Sequence, residues 1–232
     1  MSVAEPRTRR SRTGGHGETV RDALVRAGQS LFSRHPVDAV PIDDIVGEAR
    51  VAKGSFYKHF PDKEALLSAV VDRIRHAIER EVTAANAEVT DAAARVARAI
   101  CVYLRYVAEE AEQGGVLVRN DRSGHTLPSL KLNKGTVEDV RLGLSTGRFT
   151  VPTVESGALF VLGVGHVGLA RFSGGQSAAS NVWIAQQLCQ LMLRGLGLPP
   201  AEADLIAAQA AEDILHQPRL HMEPEDTRAP GG

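Results

Sequence analysis

Apolar residues along this chain recur at three- and four-residue intervals, the spacing of helical faces, and nowhere alternate as a half-buried strand would. Val20, Leu24, Ala27 and Leu31 form the stripe of a first helix. Pro41 precedes a short second helix over Ile42–Ala49, with Asp43 and Asp44 in its first turn. A third short segment runs from Ala52 to His59. Asp62 is placed to cap a long helix whose inner face carries Leu66, Leu67, Val70, Val71, Ile74, Ile78 and Val82. Asp91 opens another helix, with Val96, Ile100, Tyr103, Leu104 and Val107 inward and Gly114-Gly115 expected to end it. After a polar loop over Asn120–His125, helices are predicted at Pro128–Ser145, Pro152–Phe172, Ala178–Arg194 and Pro200–His216. The expected fold is all-α: an N-terminal three-helix helix-turn-helix domain followed by a larger helical domain.

The two ends break the pattern. Residues 1–17 carry Arg7, Arg9, Arg10 and Arg12 among glycines, and residues 217–232 are rich in Pro and Gly; both are expected to be disordered. That leaves residues 18–61 for the helix-turn-helix domain and 62–216 for the larger one. The formal charge of -1 argues by itself against a nucleic-acid partner. Its distribution argues otherwise: up to Arg75 there are 13 Lys/Arg against 10 Asp/Glu, leaving 14 against 18 beyond. Cys101 and Cys189 show neither a metal-ligand spacing nor a disulfide framework. Met1–Gly17 lacks the apolar core of a secretion signal, and the most apolar stretch, Gly157–Ala170, is short of the roughly 20 residues a membrane span needs. A cytoplasmic protein with no membrane partner is expected.

The sharpest signal is the segment from Val51 to Leu67. Gly54, Ser55, Phe56, Tyr57, His59, Phe60, Lys63, Glu64 and Leu66 stand in an order that helical periodicity alone does not produce. This segment resembles the TetR (tetracycline-repressor-like) family, in which such a pattern covers the recognition helix and the turn after it. Ile42–Ile45 and Ala49 fit the preceding helix, and Leu31-Phe32 the end of the first. The resemblance spans roughly residues 18–70. It implies a dimeric regulator that binds a palindromic operator and is released by a small hydrophobic or amphipathic ligand. A recognition helix offers its early residues to base edges and phosphates. Lys53, Gly54 and Ser55 are therefore expected at the DNA, with Tyr57 and His59 flanking the helix and Lys63 gripping a phosphate. Phe56 and Phe60, four apart, are expected to pack inward.

Three positions depart from the family pattern. Arg50 stands where glycine is usual, so a non-glycine residue is expected in a left-handed conformation; Ala52 stands where serine caps the third helix; Pro41 replaces a hydroxyl residue. The Arg7–Arg12 arm fits either a minor-groove contact or a solvated tail. Gly163, Gly165 and Gly168 match a dinucleotide-binding fingerprint, but no strand–helix–strand context surrounds them, so close helix packing is the better reading. The resemblance further implies a four-helix dimer interface, for which residues 155–195 are the candidates, and an effector pocket. Tyr103, Tyr106, Arg119, Asn120, His125, Phe149, His166 and Phe172 are candidate lining residues. No catalytic or metal-binding spacing is evident, so no enzyme, cofactor or metal is expected. A constitutive DNA-binding protein without an effector is the alternative.

Overall fold

The computed structural model describes residues 19–119, 133–172 and 178–216, and these are built from helices with no strand among them. In chain order they are α1 (Val20–Arg34), α2 (Ile42–Glu48), α3 (Lys53–His59), α4 (Lys63–Ala85), α5 (Ala92–Glu109), α6 (Ala111–Arg119), α7 (Lys134–Ser145), α8 (Val154–Phe172), α9 (Ala178–Gly195) and α10 (Pro200–Leu215). A 3-10 turn over Val37–Ala39 joins α1 to α2. The Arg7–Arg12 arm, Asn120, His125 and the tail from residue 217 lie outside the described residues.

Local chemistry sets the helix starts. Thr19 accepts from the Asp22 N–H at the start of α1 (3.1 Å), Asp62 from Ala65 at the start of α4 (2.8 Å), and Asp91 from Ala94 at the start of α5 (3.1 Å). Each satisfies an N–H that the first turn would otherwise leave unpaired. Neither α2 nor α3 has a side-chain cap, since Pro41 and Ala52 stand in the cap positions. The buried face of α1 runs through Leu24, Ala27, Gly28 and Phe32. It is rotated from the expected stripe, leaving Val20 exposed.

The N-terminal unit closes on Phe32, Ile45, Phe56 and Leu66, all fully buried. α5 is the centre of the larger unit and packs against α4, α7, α8, α9 and α10. Arginines tie its polar edges to the surrounding helices. Arg98 reaches Asp213 at 2.6 Å and the Ala85 carbonyl at 2.9 Å, while Arg105 donates to the Ile214 carbonyl at 2.9 Å. Arg148, between α7 and α8, bridges Asp91 at 2.7 Å and Glu202 at 2.6 Å. Cys101 and Cys189 are reduced and buried, their sulfurs 3.8 Å apart between α5 and α9.

One boundary differs from expectation. Gly114-Gly115 does not end a helix but lies inside α6, and the chain breaks earlier, at Glu110 (ψ 74°). The reason is close packing. A Cβ on Gly114 would lie 2.8 Å from the Val107 carbonyl oxygen, and one on Gly115 would lie 3.0 Å from the Ser33 carbonyl oxygen at the end of α1. Only glycine lets α6 approach α1 backbone to backbone. Of the three α8 glycines expected to pack closely, Gly168 does, since a Cβ there would strike Leu104 of α5 at 2.6 Å; one on Gly165 would make ordinary contacts, and one on Gly163 would meet nothing within 4 Å.

Candidate functional site

The turn between α2 and α3 is held by the Val51 N–H donating to the Val46 carbonyl (3.0 Å), and Arg50 takes the left-handed conformation there (φ 55°). A β-carbon is strained at that angle, so the loop keeps its shape at some cost in stability. α3 then turns Phe56 inward, with Phe60 buried just after it, and everything polar outward. Lys53, Gly54, Tyr57 and His59 are exposed, Ser55 is half-buried, and Tyr57 is 54% exposed despite its aromatic ring. The Tyr57 ring stands edge-on to Phe56 (centroids 5.4 Å, planes at 81°), which orients it without burying it. A Cβ on Gly54 would meet nothing within 4 Å, so this glycine serves no internal packing. Lys53 pairs with Asp43 at 2.8 Å across the α2–α3 face, and that hydrogen bond raises its pKa. Arg21, from α1, lies over the Phe60 ring at 5.3 Å and adds a cation beside the helix.

Lys63 differs from the sequence expectation. Its ammonium donates to the carbonyls of Val37 (2.8 Å), Asp38 (3.1 Å) and Val40 (2.9 Å). An ammonium has three donors, and here each has a backbone acceptor from the turn between α1 and α2. The residue is thereby a clamp between the start of α4 and that turn rather than a free phosphate ligand.

Behind the helix-turn-helix, a cavity of about 130 Å³ lies between α4, α5, α6, α7 and α8. Its walls are mainly aliphatic, among them Ile78, Val82, Val96, Ile100, Val161 and Leu169. Tyr103 and His166, both expected from the sequence, line it, and Gly165 lies beside Tyr103. Three other candidates do not line it. Tyr106 is buried with its hydroxyl hydrogen-bonded to Gln113, Phe149 lies against Gly143, and Phe172 fills the core at the end of α8. Arg119 closes α6, but its side chain lies outside the described residues, as do Asn120 and His125.

The charged lining was missed altogether: Arg75 and Glu79 of α4, and Asp139 of α7. A signal existed for Arg75, which falls between Val71 and Ile78 on the inner stripe of α4 at helical spacing. Burial lowers the pKa of its guanidinium. Asp139 accepts from Arg95 at 2.6 Å; burial pushes its carboxyl up, against Arg95, which pulls it down. No cluster able to hold a metal occurs among the described residues.

The outer faces of α8 and α9 carry exposed Leu159, Phe160, Val167, Trp183 and Leu191. No helix among the described residues is long and apolar enough to cross a membrane.

Comparison with known proteins matches residues 24–70 to the N-terminal domain described as bacterial regulatory proteins, tetR family. Residues 86–209 match the tetracyclin repressor-like C-terminal domain. The chain is 49% identical over 47 residues to the Transposon Tn10 TetC protein of Escherichia coli, covering 20% of this chain and 24% of that one. It is 30% identical over 101 residues to the HTH-type transcriptional repressor DhaR of Mycobacterium sp. (strain GP1), 44% of this chain and 50% of that one. These matches thus span a quarter to a half of the curated relatives. Among solved structures, RolR in complex with the ligand resorcinol superposes with a TM-score of 0.64 at 28% identity, over 82% of this chain and 93% of that one.

Proposed function

The chain belongs to the TetR family of bacterial transcriptional regulators, and from that membership we propose that it is a homodimeric, ligand-released repressor. α3 enters the major groove, with Lys53, Gly54, Ser55, Tyr57 and His59 at bases and phosphates. Lys63 holds the domain's shape instead of contacting DNA. The apolar faces of α8 and α9 join two copies, setting their recognition helices roughly 34 Å apart on a palindromic operator.

What supports release by a ligand is that α4 belongs to both regions. Its first residue, Lys63, clamps the turn between α1 and α2, while Arg75, Ile78, Glu79 and Val82 form one wall of the cavity, starting roughly 18 Å along the same helix. A ligand that favours one tilt of α4 favours one position of the helix-turn-helix, a population shift worth about 1–3 kcal/mol. A second route runs through α6, where Leu117 faces the cavity and Gly115 touches Ser33 of α1. DhaR is named a repressor, and RolR is seen with resorcinol, a single-ring compound. The cavity of about 130 Å³ suits an effector of that size, since an apolar cavity of about 150 Å³ holds one benzene ring.

The test is selection of a preferred site from random duplexes by the purified full chain, followed by anisotropy titration with single-ring compounds. A palindromic consensus, bound by two protomers and released by at least one compound, is the expected result. Binding without sequence preference would remove the regulator reading.

A further inference from the structure

The polar part of the cavity is built around one carboxylate. Asp139 is only 5% exposed, and its Oδ1 accepts from Arg95 Nε at 2.6 Å. Arg95 is held in turn by the carbonyls of Asn86 (3.1 Å) and Val89 (3.0 Å), both through Nη1. Among the described residues no donor reaches Asp139 Oδ2. That oxygen is not sealed in by protein, and Asp139 lines the cavity. An accessible carboxylate oxygen with no protein donor is open to a hydrogen bond from whatever occupies the cavity.

The charges nearby restrict what can fill it. Arg75 and Glu79 also line the cavity, four residues apart on α4, and Arg95 stands behind Asp139. Each sign is thus present twice. The four charges cancel, so neither a carboxylate nor an ammonium ligand would find a net opposite charge there. Either would bring an unmatched charge into a largely aliphatic space. Burial already pushes the Asp139 carboxyl above the usual range, so a second anion beside it is especially unfavourable. A hydroxyl adds no charge, donates one hydrogen bond and accepts another.

We propose that the cavity selects a neutral, ring-sized compound carrying a hydroxyl group, and that Asp139 Oδ2 is the acceptor that reads the hydroxyl. This rests on the effector reading above.

The experiment is calorimetric titration of the full-length protein with four near-isosteric probes: phenol, benzyl alcohol, benzoate and benzylamine. Phenol and benzyl alcohol are expected to bind at least tenfold more tightly than the two charged probes. Asp139→Asn keeps an acceptor for Arg95 and turns an N–H donor toward the cavity. It is expected to weaken the neutral probes at least tenfold and to narrow or invert their advantage over benzoate. Ala99→Phe, which fills the cavity from α5, is expected to abolish all binding. Benzoate binding as well as phenol in the wild type would overturn the proposal, whether or not the Asp139 variant folds. So would an unchanged neutral-to-benzoate ratio in a folded Asp139→Asn. If none of the probes binds but a larger ligand still releases operator DNA, the class proposed here is wrong and the effector reading survives. If no compound of any class shifts operator binding, both fall.

Discussion

The two halves of this chain hold their functional side chains in opposite ways. In α1–α3 the residues proposed to meet DNA are close in sequence and face solvent; Lys53, Gly54, Tyr57 and His59 project from seven consecutive residues over a core that includes Phe56. Around the cavity the lining residues come from five helices spread over about a hundred positions, and each is individually unremarkable: single Arg, Glu, Asp, Tyr and His side chains among a wall of aliphatics. A surface that reads DNA can be specified by one short helix, because the partner supplies the complementary shape. A cavity has to be assembled from tertiary packing, so its chemistry belongs to no single segment.

Neighbouring residues in α3 make the sharpest break between packing and recognition. Phe56→Ala is expected to cost about 3–5 kcal/mol, the loss of a fully buried aromatic ring, and to melt the N-terminal unit in a thermal scan. Tyr57→Ala, one position on, is expected to cost less than about 0.5 kcal/mol of stability yet weaken operator binding by about 1–3 kcal/mol in anisotropy titrations. Equal stability losses at the two positions would mean that Tyr57 packs rather than reads.

Lys63 sharpens the same distinction. Lys63→Met removes three hydrogen bonds to carbonyls and is expected to destabilise the chain by about 2 kcal/mol. The slope of operator affinity against salt is expected to stay unchanged in the folded variant, because no phosphate contact is lost. A slope reduced by about one unit would return Lys63 to the DNA.

Two glycines extend the comparison across the halves. Gly115→Ala drives a methyl against the Ser33 carbonyl and is expected to cost about 1–3 kcal/mol, read by denaturant unfolding. Gly54→Ala meets open space and is expected to leave stability level or raise it by up to about 1 kcal/mol, while impairing DNA binding. The smallest effect concerns acid. Burial works to raise the Asp91 carboxyl, but the Arg148 hydrogen bond and the Ala94 and Ala93 N–H groups outweigh it and hold it below the usual carboxylate range. The unfolded chain then takes up that proton more readily, so the stabilisation is complete above the carboxylate range and lost as pH falls below roughly 4. The stability gap between wild type and Asp91→Asn is expected to close over that interval in pH-dependent melts; a gap that persists at pH 2 would contradict the assignment.

Much of the fold was legible because caps and periodicity are local. Asp62 and Asp91 mark the starts of α4 and α5, and the strained conformation of Arg50 follows from the absence of glycine in a turn that needs a positive φ. The break at Glu110 was not legible, since neither glycine nor proline marks it. Gly114-Gly115 looked like a terminator, but their role is close approach to α1, a fact of tertiary packing. The same limit governed the cavity. Phe149 and Phe172 were reasonable aromatic lining residues, but a ring of that size is more easily buried in the core than left bordering a void. Asp139 carried no signal because its meaning depends on Arg95, which lies 44 residues away on another helix.

The central claim is that cavity and recognition helix are coupled through α4, and it can be tested without knowing the effector. Ala99→Phe puts an aromatic ring into the cavity from α5, leaving α3 and α4 untouched in sequence. Operator affinity measured by anisotropy is expected to fall at least tenfold relative to wild type, with cooperative melting retained. A folded Ala99→Phe protein that binds its operator as tightly as the wild type would contradict the coupling.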